Sequence, residues 1–145
     1  MKINKYKIGY TTGVFDLFHI GHLNVLRRSK KMCDYLIVGV STDELVKEYK
    51  NKAPIIPFDE RFAIVEAIRY VDKVVPQVTR NKIAAYEKYR FDVMFVGDDW
   101  KGNELFKRTE KELLDRGSHV VYFPYTKNTS STLLRDILIK IIKDR

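Results

Sequence analysis

Residues 13–22 read GVFDLFHIGH, and in them His19 and His22 stand three apart with Gly21 between. Two imidazoles at this spacing have four chemical uses. A metal site needs three or four ligands. The remaining histidine and the single cysteine, His119 and Cys33, lie far off in the chain, so no metal ligand set is expected. A nucleophile–base pair would want a G-x-S-x-G elbow, which is absent. Neighbouring structural histidines are a third use, though the scarcity of histidine makes this pattern uncommon by chance. Anion binding is the fourth and fits best. Neither the G-x-x-x-x-G-K-[ST] loop nor G-x-G-x-x-G is present. The usual glycine cradles for phosphate are therefore missing, and the histidines can take their place. A helix N-terminus offers unpaired N–H groups and partial positive charge. Two imidazole N–H groups there can reach phosphate oxygens, and Gly21 lets the backbone approach without a Cβ. Such an array stabilises charge building on a phosphate under attack.

For this to work, a strand must end just before the motif and a helix must start within it. Residues 7–11 read as a strand, and Ile20, Leu23 and Leu26 begin a helix over 20–32. The apolar run 35–40 is a strand covered on both faces. Residues 43–49 open with acidic side chains, as helix starts do. Residues 50–57, with two prolines, form a loop, and a helix over 58–70 takes Asp59 as its N-cap. A short strand over 73–75 is closed by Pro76. Helix 81–89, strand 92–96, helix 104–116, strand 119–123 and a last helix from Ser130 or Ser131 to about Lys143 complete the chain. Five strands alternating with helices predict an α/β fold, a doubly wound Rossmann-like sheet of five parallel strands with helices on both faces. With no repeat or composition shift, residues 1–145 read as a single domain. Ligands bind outside the carboxyl ends of such strands. The segments after strands one, four and five are GVFDLFHIGH, GDDW and YTKNTSST, all rich in polar residues and glycine.

Composition limits the alternatives. The 145 residues carry a net charge of +8, with 45% apolar and 32% charged side chains. The basic excess is dispersed along the chain with no basic tail, which disfavours a nucleic-acid or membrane-surface role. No apolar run can span a bilayer, and no signal peptide is read at the N-terminus. One cysteine cannot pair internally, which fits a cytoplasmic location. Taken alone, Lys50 and Lys52 read as solvated charges, Arg69 as a helix-end residue or partner of Asp72, and Asp98 and Asp99 as a turn. Trp100 could stack on a base or cover the core edge. Ser130 and Ser131 are helix caps first.

Five segments in order carry a family likeness: GVFDLFHIGH, DYLIVGVSTDE (34–44), IRYVDKVVP (68–76), GDDW (97–100) and SST (130–132). On these the chain resembles the cytidylyltransferases of the His-x-Gly-His nucleotidyltransferase superfamily, nearest to those that act on glycerol 3-phosphate. The resemblance implies transfer of CMP from CTP, with Mg²⁺, to a small phosphomonoester, with release of pyrophosphate. By matching position it implies that His19 and His22 hold the triphosphate and stabilise the transition state. It gives Lys50 and Lys52 as a lysine pair reaching the phosphates, and Arg69 as the residue binding the acceptor phosphate, which makes His19, His22, Lys50 and Arg69 the catalytic set. Nucleotide contacts fall to Thr12, Gly13, Val14, Phe15, Asp16 and Gly21 in the first loop, and to Gly97, Asp99 and Trp100. Tyr125, Thr126, Thr129, Ser130 and Ser131 complete them. A homodimer joined near residues 69–76 is implied by the same likeness. Two positions depart from the family pattern. Tyr125 stands at an arginine position and Val14 where threonine is common, which leaves open ATP as the nucleotide, or another acceptor. A nucleotide-binding module without turnover is the remaining alternative.

Overall fold

A computed structural model describes residues 6–124 and 130–144, and at Asp99 the backbone alone. Its elements run β1 (Tyr6–Gly13), α1 (Ile20–Lys31), β2 (Cys33–Ser41), α2 (Asp43–Lys50), α3 (Phe58–Glu66), β3 (Lys73–Gln77), α4 (Lys82–Tyr89) and β4 (Val93–Gly97). A 3₁₀ turn (Asp98–Trp100), α5 (Glu104–Asp115), β5 (His119–Phe123) and α6 (Ser131–Lys143) follow. The five strands pair in parallel in the order β3-β2-β1-β4-β5. The α/β fold expected from the alternation is the one observed.

Alternation along the strands splits the apolar side chains into two cores, one per face of the sheet. Leu36, Val38, Val40, Val93 and Phe95 meet Leu26 of α1 and Val65 of α3 on one face. Tyr10, Ile37, Val75 and Met94 meet Phe106 and Leu113 of α5 on the other, with Ile83 and Tyr86 of α4 packed beside them. At the amino ends of the strands, carboxylates start the pairing. Asp92 accepts from the Ile8 N–H at 2.8 Å. Asp72 accepts from the Leu36 N–H at 2.8 Å and pairs with Lys30 at 2.6 Å.

Among the departures from the sequence expectation, those at Pro76 and at the cap of α3 have a physical reason. Pro76 does not close β3 but lies within it, opposite Val40. β3 is an edge strand, where a missing N–H can face away from the ladder. Helix α3 stops at Glu66, and its N-cap is Pro57 rather than Asp59. A proline has no side-chain acceptor to offer, and the first free amide, Phe58 N–H, is instead accepted by Asp43 at 3.2 Å. The cap thus arrives from another helix.

Candidate active site

The order of strands reverses between β1 and β4, and the crevice at their carboxyl ends is where such sheets bind ligands. Out of β1 the chain enters a tight loop. Phe15 and Leu17 take φ of 55° and 49°, left-handed values that side-chain-bearing residues seldom adopt. Strain of this kind persists only where the surroundings over-determine it, and here three anchors do so. The Phe15 ring is buried against Gly13, where an added Cβ would lie 3.0 Å from it. Both carboxylate oxygens of Asp16 accept backbone amides of the next loop, Ile55 at 2.8 Å and Ile56 at 2.9 Å. The Val14 carbonyl accepts from Arg61 Nη1 at 2.6 Å.

The loop delivers His19 as the N-cap of α1 with extended backbone. Its Nδ1 accepts from the Gly21 N–H at 3.0 Å, and His22 Nδ1 accepts from the His19 N–H at 3.1 Å. This reciprocal box is normally built from a hydroxyl and a carboxylate. Built from two imidazoles, it has a chemical consequence. A ring nitrogen that accepts carries no proton, so each neutral ring holds its proton on Nε2. The tautomers are assigned from these hydrogen bonds, and they leave two Nε2–H donors at the start of a helix. The rings lie 4.0 Å apart by centroid.

His22 is set further by its neighbours. Its Nε2 lies 3.5 Å from Ser131 Oγ at the first residue of α6, and that hydroxyl donates to the Asp16 carbonyl at 2.5 Å. With the serine proton so committed, its oxygen faces the imidazole as an acceptor. Burial first, and the adjacent His19 second, push the His22 pKa down to about 3, against an opposing pull from Asp16. Burial also lowers that of His19. At neutral pH both rings are uncharged donors.

Arg61, read in the sequence only as part of a helix, proves to be the buried fastener of this rim. It is 1% exposed. Its guanidinium donates to the carbonyls of Val14 (2.6 Å), Ser41 (2.8 Å) and Ile56 (2.8 Å) and to Asp43 Oδ1 (2.8 Å). Four segments (the first loop, the end of β2, α2 and the proline-containing loop) thereby meet on one side chain.

The other expected residues divide by position. Lys50 ends α2 and Lys52 follows it, both exposed. Burial, then the charges of Lys52, Arg80 and Arg135, lower the Lys50 pKa, with Asp16 opposing. The cations thus gather on the side where Asp16 and the first loop lie. Thr12 sits next to the last residue of β1, and its Oγ1 accepts from Lys82 Nζ at 2.9 Å. Gly97 ends β4 and Trp100 closes the turn after it. Ser130 caps α6, accepting from the Leu133 N–H at 3.0 Å. Tyr125, Thr126 and Thr129 lie outside the described residues, as does the side chain of Asp99. Arg69 is not brought to this rim within one chain. It is exposed and precedes β3, so it stands at the amino edge of a parallel sheet, the edge opposite the histidines. The Asp72 that could have paired with it holds Lys30 instead. Two residues that sequence reasoning passed over, Arg80 and Lys82, follow the carboxyl end of β3 and do stand at the rim.

A family model described as "Cytidylyltransferase-like" matches residues 10–137. The chain is 38% identical over 127 residues to a glycerol-3-phosphate cytidylyltransferase of Bacillus subtilis (strain 168), covering 87% of this chain and 92% of that one. It is 37% identical over 129 residues to the enzyme of that name from Staphylococcus aureus, covering 88% and 92%. Among solved structures it is similar to a lipopolysaccharide core biosynthesis protein from Thermoplasma volcanium, with TM-score 0.69, 26% identity and coverage of 86% and 99%. A pantothenate synthetase from Thermus thermophilus shares the fold alone, at TM-score 0.67 and 14% identity, covering 91% of this chain and 62% of that one.

Proposed function

The chain belongs to the cytidylyltransferase-like family, and from that premise we propose that it transfers CMP from CTP to glycerol 3-phosphate and releases pyrophosphate. The observation that carries the reading is the histidine cap, which aims two Nε2–H donors from the start of α1 beside Ser131.

The reaction asks little of a base. A phosphate monoester has its second pKa near 6 and is largely a dianion at neutral pH. One of its oxygens attacks the α-phosphorus of CTP. A new P–O bond forms, the bond to the bridging α–β oxygen breaks, and pyrophosphate leaves with that electron pair. The barrier lies in bringing two polyanions into line and absorbing the charge that builds at phosphorus. His19 and His22 supply donors to the nonbridging oxygens. Being neutral, they need give up no proton and require no reprotonation between turnovers. Lys50, at the end of α2, and Lys52, in the loop that Asp16 anchors, supply charge to the outer phosphates. Ser131 holds the His22 ring, and Ser130 caps the second helix that opens on the site.

Among the described residues no group of three His, Cys, Asp or Glu side chains is placed to hold a metal ion. Both oxygens of Asp16 are taken by amides. Mg²⁺ therefore enters as part of the substrate, bound to the phosphates of CTP. We place the reaction in the cytoplasm, where a buried free thiol such as Cys33 is at home. No helix among the described residues is long and apolar enough to cross a membrane. The whole chain acts as one catalytic unit. It pairs as a homodimer joined near residues 69–76, as the family likeness implies, and the second half of α6, with Ile137, Leu138, Ile141 and Ile142 all exposed, offers further apolar surface.

The test is phosphate release, in the presence of pyrophosphatase, from CTP and from ATP with each of several phosphomonoesters. CTP with glycerol 3-phosphate should give the highest rate. Preference for ATP would make the chain an adenylyltransferase, and CTP binding without product from any acceptor would make it a binding module.

A further inference from the structure

The loop that carries Lys52 is secured unevenly along its length. α2 ends at Lys50, and Asn51 turns the chain with a left-handed φ of 57°, its N–H donating to the Lys47 carbonyl at 3.0 Å. At the far end Asp16 holds the Ile55 and Ile56 amides, and the Ile56 carbonyl accepts from Arg61. Residues 52–54 lie between these two anchors. Among the described residues, the hydrogen bond that reaches them from another element comes from Arg135 on α6, whose Nη1 donates to the Ala53 carbonyl at 3.0 Å. Ala53 directly follows Lys52.

Arg135 is brought there by α6. It stands one helical turn beyond Ser131, so the two side chains share a face of the helix. Ser131 meets His22 and the Asp16 carbonyl. One face of α6 thus touches the histidine loop and the lysine loop together. The remainder of the helix adds little hold on the body, since none of its residues is buried. Charge makes the contact at Ala53 matter. Burial lowers the Lys50 pKa, and Lys52, Arg80 and Arg135 add to the shift while Asp16 opposes it. None of these four cations has a carboxylate in ion-pair contact among the described residues. Like charges drive the loop and α6 apart until a polyanion lies between them. A neutral carbonyl that accepts from Arg135 resists that separation before any anion arrives.

We propose that Arg135 is a positioning residue for CTP: its bond to the Ala53 carbonyl straps the lysine loop to α6 and sets Lys52 beside the histidine loop in the free protein. The assignment rests on the transfer reaction proposed above and adds to it a residue outside the expected set. Ordering the loop in advance takes that entropy loss out of the binding step. The strap therefore acts on CTP affinity. Acceptor binding and the charge that builds at phosphorus are left to other groups.

Two measurements on the full chain read the strap without turnover. NMR follows hydrogen exchange at the Ile55 and Ile56 amides, and calorimetry follows the binding of CTP with Mg²⁺. In Arg135→Ala both amides should exchange at least about fivefold faster. Those of Val38 and Val93, inside the sheet, should keep their rates. CTP should bind about tenfold more weakly. Arg135→Lys still reaches a single carbonyl and should return exchange and affinity to within about threefold of wild type. In turnover, Arg135→Ala should raise KM for CTP and leave kcat and KM for glycerol 3-phosphate within about threefold. Unchanged exchange at Ile55 and Ile56 overturns the strap, even if CTP binds more weakly, for Arg135 would then be a direct phosphate ligand. Unaltered CTP affinity overturns it as well. So does faster exchange shared equally by Val38 and Val93, which marks a general loss of stability. Absence of pyrophosphate release with every acceptor would instead remove the transfer reaction and leave both readouts standing.

Discussion

At the scale of single residues, the two histidines do two jobs with different nitrogens. Nδ1 of each caps the helix, and Nε2 of each is left to donate. The jobs are separable. His19→Ala removes cap and donor together, which should cost about 1 kcal/mol of stability and at least ~100-fold in kcat. His19→Asn keeps a good cap and loses the donor. Urea unfolding should find it near wild type, while pyrophosphate release still falls by ~100-fold. Full turnover in that variant would reduce His19 to a cap. The depressed His22 pKa sets a second expectation. In the unfolded chain the ring titrates near 6.5 and in the folded one at about 3. Between these values the unfolded state holds a proton that the folded state does not, so stability drops as pH falls from 6.5 towards 3. From pH ~6.5 to ~4.5 the loss attributable to His22 should be about 1–2 kcal/mol, allowing for the ring's partial exposure. His22→Asn should abolish that part of the pH dependence in urea titrations.

At the scale of elements, the site is a loop tied down from a distance. Arg61 gathers Val14, Ser41, Ile56 and Asp43. Arg61→Leu strands Asp43 and three carbonyls, and should cost about 3–5 kcal/mol in chemical denaturation. Arg61→Lys, retaining charge but not the fork, should fold and show a raised KM for CTP as the first loop loosens. None of this was legible in the sequence. An arginine in the first half of a helix looks like surface until the fold brings four partners to it. Local signals were legible: the apolar runs of β2, β4 and β5, the helix start at Ile20, the cap at Ser130. Signals that depend on a neighbour were not. Pro76 reads as a stop because the sequence does not say that β3 is an edge. Asp59 reads as a cap because nothing local shows that Asp43 reaches Phe58 from α2. Arg69 and Arg80 flank the same strand, and only strand direction tells which one stands at the carboxyl rim.

At the scale of the molecule, the strand order β3-β2-β1-β4-β5 places the reversal between β1 and β4, and the site elements gather on one rim for that reason. The parallel sheet was legible from the alternation of strands and helices, and the rim from the polar segments that follow strands one, four and five. The opposite surface of α6 was not. Its second half leaves a run of isoleucines and a leucine exposed, which a helical pattern alone would assign to a core. Sedimentation equilibrium at micromolar concentration should give twice the chain mass, and Ile137→Asp combined with Ile141→Asp should shift the molecule towards a single chain. A monomer in the unaltered protein would contradict the pairing.

The central claim is that two uncharged imidazoles, each protonated on Nε2, hold the inner phosphate of CTP. Nitrogen-15 NMR of the histidine rings reads this most directly. At pH ~7 the rings of His19 and His22 should both show the shift pattern of the neutral Nε2–H tautomer, and adding CTP with Mg²⁺ should move both Nε2 signals. Imidazolium patterns before CTP is added, or rings indifferent to saturating CTP, would contradict it.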